Sequence, residues 1–211
     1  GLNAVERGKA DSPRYRGYTE RRTSADLEPQ TDEGVTALAV IANWDLHTDM
    51  ANRSAALGVC ILLTEWQGER TGEPPPQPRD TLRECMDSVR SVSGRLDPEW
   101  GTVQQHGRGD RLWPVAGGPD TLRAMYAERI NEDDSYLTVV AGDGLYYLIE
   151  WSADGQQTVL GTHQYGSQMT NPESPHYLDQ AEAFAMERVR SPGFRAENRT
   201  ASTKQYTVSN Q

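Results

Sequence analysis

Residues 145–185 read LYYLIEWSADGQQTVLGTHQYGSQMTNPESPHYLDQAEAFA. The aromatic and β-branched run over 145–151 predicts a strand. Ser152-Ala153-Asp154-Gly155 is turn chemistry, because Asp-Gly supplies the positive φ angles of a tight hairpin. Residues 157–163 are the return strand. Tyr165-Gly166-Ser167 opens a loop that runs through Asn171-Pro172 and Ser174-Pro175. Beyond it, Ala181, Phe184, Ala185 and Val189 share one face, which predicts a helix over 179–189.

The neighbouring sequence extends this unit. Residues 135–141, SYLTVVA, predict a further strand, and Gly142-Asp143-Gly144 a hairpin turn into 145–151. The expectation is an antiparallel meander over about 135–163, with apolar residues on both faces, as suits a sheet covered on both sides. Upstream the period changes to helical. Val35, Leu38, Ile41 and Ala42 predict a first helix to about Trp44. Leu57, Cys60, Ile61 and Trp66 mark a second over 53–66. The run over 57–63 is apolar nearly all round, so this helix has more than one neighbour. Leu82, Cys85, Met86 and Val89 give a third over 80–92, with Asp80 as N-cap and Gly94 as stop. The fold class is α+β, with helices at about 35–66 and 80–92. The divisions are a polar extended arm (1–33), a helical segment (34–93), a β-rich segment with a C-terminal helix (94–193) and a polar tail (194–211). Residues 97–119 read as loop.

Three motifs carry a family resemblance. HQYGS (163–167) followed by SPHYLDQAEAFA (174–185) resembles the C-terminal end of the β-subunit of the penicillin acylase family. Ala42-Asn43-Trp44-Asp45, with Asp49 and the helix after Ser54, resembles the family's WD…D…LF…FW segment. Gly109-Asp110-Arg111-Leu112-Trp113-Pro114, with Gly117-Gly118-Pro119-Asp120-Thr121-Leu122-Arg123, resembles its GDR…P…GGPDTLR segment. Order and spacing agree over about 34–192.

The resemblance implies an αββα sandwich of the N-terminal-nucleophile hydrolases, with the 135–163 strands extending one sheet. It implies amide hydrolysis between an acyl chain and an amine-bearing core: an acyl-homoserine lactone, a lipopeptide or a β-lactam side chain. The nucleophile in such enzymes is the first residue of the β-chain, usually Ser, freed by self-cleavage. Its own α-amine, titrating near about 7.7–8.0, can act as base. Residue 1 here is Gly, and no Asn near the start lies in the family's oxyanion context. No catalytic, cofactor-binding or metal residue is therefore assigned to this chain, and no cofactor is expected. The implied partners are the α-subunit and the N-terminal β-segment of the same acylase, together with an acyl-amide substrate. The implied location is periplasmic or secreted.

Composition narrows the classes. Only 36% of the 211 residues are hydrophobic, which is lean for an independent core and suits one shared with another polypeptide. A net charge of −10 argues against a nucleic-acid partner, and Arg14, Arg16, Arg21 and Arg22 are the only basic cluster. No apolar run approaches the ~20 residues of a membrane span. The start at Gly1, without Met, fits a processed piece of a precursor. Cys60 and Cys85, the only cysteines, are open between a disulfide in an exported protein and two buried thiols.

The remaining motifs have bland readings. His176, Asp179 and Glu182 stand at helical spacing for a metal, but Ser174-Pro175 puts His176 at or before the helix start, where a structural role is favoured. His163-Gln164-Tyr165 at a strand end suits a buried hydrogen-bond network. Asn131-Glu132-Asp133-Asp134-Ser135 lacks the Gly and closing Glu of a calcium loop. Arg108-Gly109-Asp110 is formally an adhesion tripeptide, and also fits the family segment. The rival to a catalytic segment is a β-sheet binding module with Trp100, Trp113 and Tyr146 as its ligand platform. A degenerate, inactive acylase relative is the third reading.

Overall fold

The computed structural model describes residues 31–74 and 77–191. The expected arm, apart from residues 31–33, and the whole expected tail lie outside the described residues. The described residues begin with three helices: α1 (Asp32–Ala42), α2 (Ala55–Thr71) and α3 (Pro78–Ser93). The Thr31 side chain accepts from the Gly34 amide at 3.0 Å and caps α1, whose first turn carries Asp32 and Glu33. Asn52 starts α2, its Oδ1 accepting from the Ser54 and Ala55 amides, both at 2.9 Å. Pro78 sits in the first turn of α3, and Gly94 closes it at φ 73°.

These helices surround one apolar cluster containing Ile41, Trp44, Leu57, Ile61, Leu82, Met86, Val89 and Trp100. Trp44 lies flat on Gly58, where any Cβ would collide with the indole ring. Its Nε1 donates to His47 O at 2.8 Å, fixing the loop that follows α1. Cys60 and Cys85 form a disulfide joining α2 to α3 across 25 residues of sequence, with Cα atoms 5.7 Å apart.

A short helix, α4 (Trp100–Val103), leads into β1 (Gln104–Arg108), β2 (Arg111–Pro114), β3 (Met125–Glu128) and β4 (Leu137–Gly142). They form a sheet in the order β2-β1-β4-β3, with β1 and β4 parallel and the other pairs antiparallel. β5 (Leu145–Trp151) and β6 (Gln157–His163) form a separate antiparallel ribbon, and α5 (Ala181–Ala185) packs on it and on the first sheet. The fold is α+β, as the sequence indicates, and compatible with the N-terminal-nucleophile hydrolase class.

The three-strand meander is corrected. β4 has both edges occupied, by β1 and β3, so β5 cannot add to it. Gly142-Asp143-Gly144 is a crossing between sheets instead of a hairpin. Gly142 has φ 137° and passes so close to Ala124 O that a side chain would not fit, while the Asp143 amide donates to that carbonyl at 2.9 Å. The helix expected over 179–189 is also shorter. Glu187 adopts φ 56°, and the chain leaves the helical path to form a bridge between Arg190 and Gly161. Strands β1, β2 and β3 fall in or after a stretch read as loop.

The disulfide sets the first prediction. Serine at both Cys60 and Cys85 should lower unfolding stability by about 3 kcal/mol, because it frees a loop of this length in the unfolded chain. Urea titration of the double variant against the oxidised parent measures it. Reductant should shift the parent's midpoint the same way and leave the variant's unchanged.

Candidate functional site

The GDR…GGPDTLR and HQYGS…SPHYLDQAEAFA segments, far apart in sequence, meet around two arginines and a histidine. His106, on the inward face of β1, is only 3% exposed. Its ring lies 6.2 Å from Trp113, 5.4 Å from Phe184 and 6.5 Å from Tyr165 between centroids. Burial pulls its pKa below the usual imidazole value; the hydrogen bond to Gln164 O opposes this, and the charges of Arg123 and Arg108 add to it. At neutral pH the ring is therefore uncharged, with Nε2–H donating to Gln164 O at 3.0 Å. This is the hydrogen-bond network expected at the end of β6. The histidine within it is His106, whereas His163 ends β6 in register with Leu145.

Arg123 is 4% exposed and closes the GGPDTLR segment. Nη1 reaches Asp143 Oδ2 at 3.3 Å, Nη2 donates to Phe184 O at 2.9 Å, and Nε lies 3.7 Å from Glu187 Oε1. Its guanidinium also lies 4.2 Å from the Phe184 ring centroid and 4.9 Å from that of Tyr146. Arg123 thus ties the inter-sheet crossing, α5 and β5 together. Arg108 lies between Tyr165 and Tyr177, 4.5 and 4.0 Å from their centroids, and donates to Met169 O at 2.8 Å. The Arg108-Gly109-Asp110 tripeptide is the β1–β2 turn, with its arginine engaged by the loop after β6. Gly166 passes directly against His176 O and Tyr177, leaving no room for a Cβ, and its amide donates to Tyr177 O at 3.2 Å.

The WD segment joins beside this centre, through the Gly117 backbone that passes against Arg123. Thr48 is fully buried, and its carbonyl accepts from the Gly117 amide at 2.9 Å. Gly117 O in turn accepts from Trp100 Nε1 at 2.8 Å and Gln104 Nε2 at 3.0 Å. Asp45 Oδ1 holds the His47 amide and Asn52 Nδ2 at 3.0 and 2.8 Å, so the motif aspartate organises the entrance to α2.

The other sequence candidates do not assemble a reaction centre. His176 Nδ1 pairs with Asp179 Oδ2 at 3.2 Å at an exposed surface, and Asp179 Oδ1 accepts from the Ser167 amide. Glu182 turns away to Arg188 at 3.1 Å. Among the described residues no group of three His, Cys, Asp or Glu side chains is placed to hold a metal. Asp134 caps Asn131 through its amide and side chain. The aromatic platform of the binding-module reading is contradicted. Trp100 and Trp113 are 2% and 8% exposed, and Tyr146 packs on Phe184.

A cleft of about 350 Å³ opens between the helices and the first sheet. Val59, Leu63, Val89, Val103, Met125 and Leu137 supply much of its wall. Its polar lining comes from Thr64, Gln67, Ser88, Gln104, Glu128 and Arg129.

The family's model for penicillin amidase matches residues 11–201. The chain belongs to the penicillin amidase family. Among curated proteins it is 32% identical over 108 residues to the acyl-homoserine lactone acylase PvdQ of Pseudomonas fluorescens. That match takes in 51% of this chain and 14% of the relative's length. In this chain Arg108, Arg123 and the Gly117 carbonyl of the family motifs tie one segment to another.

Two measurements follow. Replacing Arg123 with Met strands the Asp143 and Glu187 carboxylates, so it should cost about 3–5 kcal/mol, read as a fall in the chemical denaturation midpoint. For His106, the unfolded ring binds more protons than the buried one below about pH 6.5. Stability should therefore fall as pH drops through 6.5, until the folded ring also protonates. Asp143, whose carboxyl burial raises above 3.8, acts in the opposite sense: its contribution falls as pH rises through the window just above that value. Substituting His106 with Gln should flatten the slope just below about pH 6.5 in unfolding titrations.

Proposed function

We propose that this chain is the C-terminal β-subunit portion of an N-terminal-nucleophile acylase. The complete enzyme hydrolyses an amide between an acyl chain and an amine-bearing core. The nucleophile is the first residue of another polypeptide segment, and the chemistry is acyl transfer to it followed by hydrolysis. This chain's part is architectural: its sheets and the α1–α3 layer complete the body that holds the catalytic strands. The observation that carries the reading is the family match across most of the chain, joined to a centre whose polar groups are consumed in binding segments to each other.

The name of the Pseudomonas relative supports an acylated amine such as an acyl-homoserine lactone as substrate class. A disulfide between α2 and α3 supports an oxidising compartment, periplasmic or secreted. Among the described residues no helix is long and apolar enough to cross a membrane.

The test is an assay of N-acyl amide hydrolysis, using acyl-homoserine lactones and phenylacetyl amides, on this chain alone and on the assembled acylase. Activity should require the assembly. Hydrolysis by the isolated chain, or an assembled enzyme inert towards every acyl amide, would overturn the proposal.

A further inference from the structure

The cleft between the helices and the first sheet is a slot with two unlike ends. Along α2 its wall runs from Ala56 through Val59 and Leu63 to Gln67, residues that share one side of the helix. At ~1.5 Å of helical rise per residue, that wall is about 16 Å long. The inner end is apolar and enclosed: Val59, Val103 and Met125 are 3%, 2% and 1% exposed. Its polar groups are already engaged, since Gln104 Nε2 donates to Val115 O and Gly117 O, and Trp100 Nε1 to Gly117 O.

The outer end is polar. Gln67, Ser88 and Glu128 are exposed there, and among the described residues their side chains make no hydrogen bond. Arg129 beside them donates to Ser91 Oγ at 3.1 Å and Glu132 O at 3.4 Å, and among the described residues it pairs with no carboxylate. The walls are fixed before any ligand enters. Cys60 lines the slot, and its disulfide to Cys85 ties α2 to α3. Trp66, next to Gln67, packs on Tyr126, next to Ala127, with ring centroids 5.4 Å apart, which ties α2 to β3.

Shape and charge narrow the ligand. The volume of about 350 Å³ falls within the ~300–1,000 Å³ of small-molecule sites. An extended chain advances about 1.2 Å per bond, so the slot takes an alkyl chain of about a dozen carbons. At the outer end an anionic head meets Glu128 and a cationic head meets Arg129. A neutral head with both a donor and an acceptor suits that pair and the Gln67 amide. We propose that this slot binds one straight alkyl chain of about a dozen carbons, carried on a neutral head that both donates and accepts hydrogen bonds. The chain lies against Val59, Val103 and Met125, and the head lies between Gln67, Glu128 and Arg129. N-acyl amides and monoacylglycerols share this chemistry. Binding here involves no bond cleavage and does not depend on where the acylase nucleophile lies.

Saturation binding tests this, with N-dodecanoyl homoserine lactone and 1-monododecanoylglycerol as probes below their micelle-forming concentrations. It is run on the chain alone and on the assembled acylase, blocked with phenylmethylsulfonyl fluoride so that the amide is not consumed. At least one probe should bind one to one, and at least about a hundredfold more tightly than its six-carbon analogue. It should also bind about tenfold more tightly than dodecanoate or dodecylamine. A diazirine on the last carbon of the chain should label the inner end of the slot in both preparations. Ala127→Phe places a ring in the slot and should cost at least about tenfold in affinity, whereas Ala127→Ser should not. Glu128→Gln should tighten dodecanoate about tenfold, a gain that a damaged fold does not produce. Binding of the amide alone identifies acylated amines as the ligand, and of the glyceride alone monoacyl lipids. The inference is overturned by unsaturable binding, by affinity independent of chain length, or by label confined to the exposed β5 strand. Label found in the free chain and lost in an active assembly also overturns it, and leaves the acylase reading standing. An assembly inert towards every acyl amide that still binds a probe overturns that reading alone.

Discussion

A buried guanidinium fixes how the two sheets meet. Arg123 is almost fully enclosed, so its charge must be met inside the protein. Asp143 and Glu187 meet it, and the Phe184 carbonyl and ring and the Tyr146 ring fill the rest of its shell. Those partners belong to the crossing between sheets, to α5 and the residue that ends it, and to β5. The second sheet and α5 cannot shift relative to the first without leaving a charge buried and unmatched. His106 and Arg108 continue the same device on β1, by holding Gln164 and the loop that carries Tyr165 and Tyr177.

Much of this was legible in the sequence. The three long helices follow from apolar spacing and, for α3, from the Gly94 stop, although the N-cap of α3 is Gln77 and Asp80 lies within its first turn; the Cys60–Cys85 pairing, open in the sequence, is decided by the packing of α2 on α3. The β5–β6 hairpin follows from its Asp-Gly turn. Of the strands that escaped reading, β2 and β3 are only four residues long, and β1 buries polar residues. Gln104 and His106 lie inward on β1, satisfied by Val115 O, Gly117 O and Gln164 O, so QQHGR shows no apolar alternation. The crossing at Gly142-Asp143-Gly144 looks like a hairpin because turn chemistry is local, whereas strand neighbours are decided by which edges are already filled. The early end of α5 has the same origin: Glu187 leaves the helix where its carboxylate faces Arg123.

At the site, the motifs were readable as a family resemblance long before their roles were. From the sequence, HQYGS, GGPDTLR and SPHYLDQ carry the family resemblance and no catalytic assignment. In three dimensions their carbonyls, amides and rings engage one another. Gly166 illustrates the distinction, since its place in HQYGS answers to the backbone of His176 and Tyr177 passing against it. A glycine of this kind marks a close approach of chains, and carries no chemistry of its own.

The central claim is that the acyl-enzyme forms elsewhere and that this chain frames it. The most direct test is to label the assembled acylase with an electrophilic acyl probe, such as a phenylmethylsulfonyl or acyl phosphonate reagent, and to measure the intact mass of each polypeptide segment. The account predicts one adduct on the N-terminal residue of a segment other than this one, and an unmodified mass for residues 1–211. A stoichiometric adduct within those residues would place the nucleophile here and contradict it.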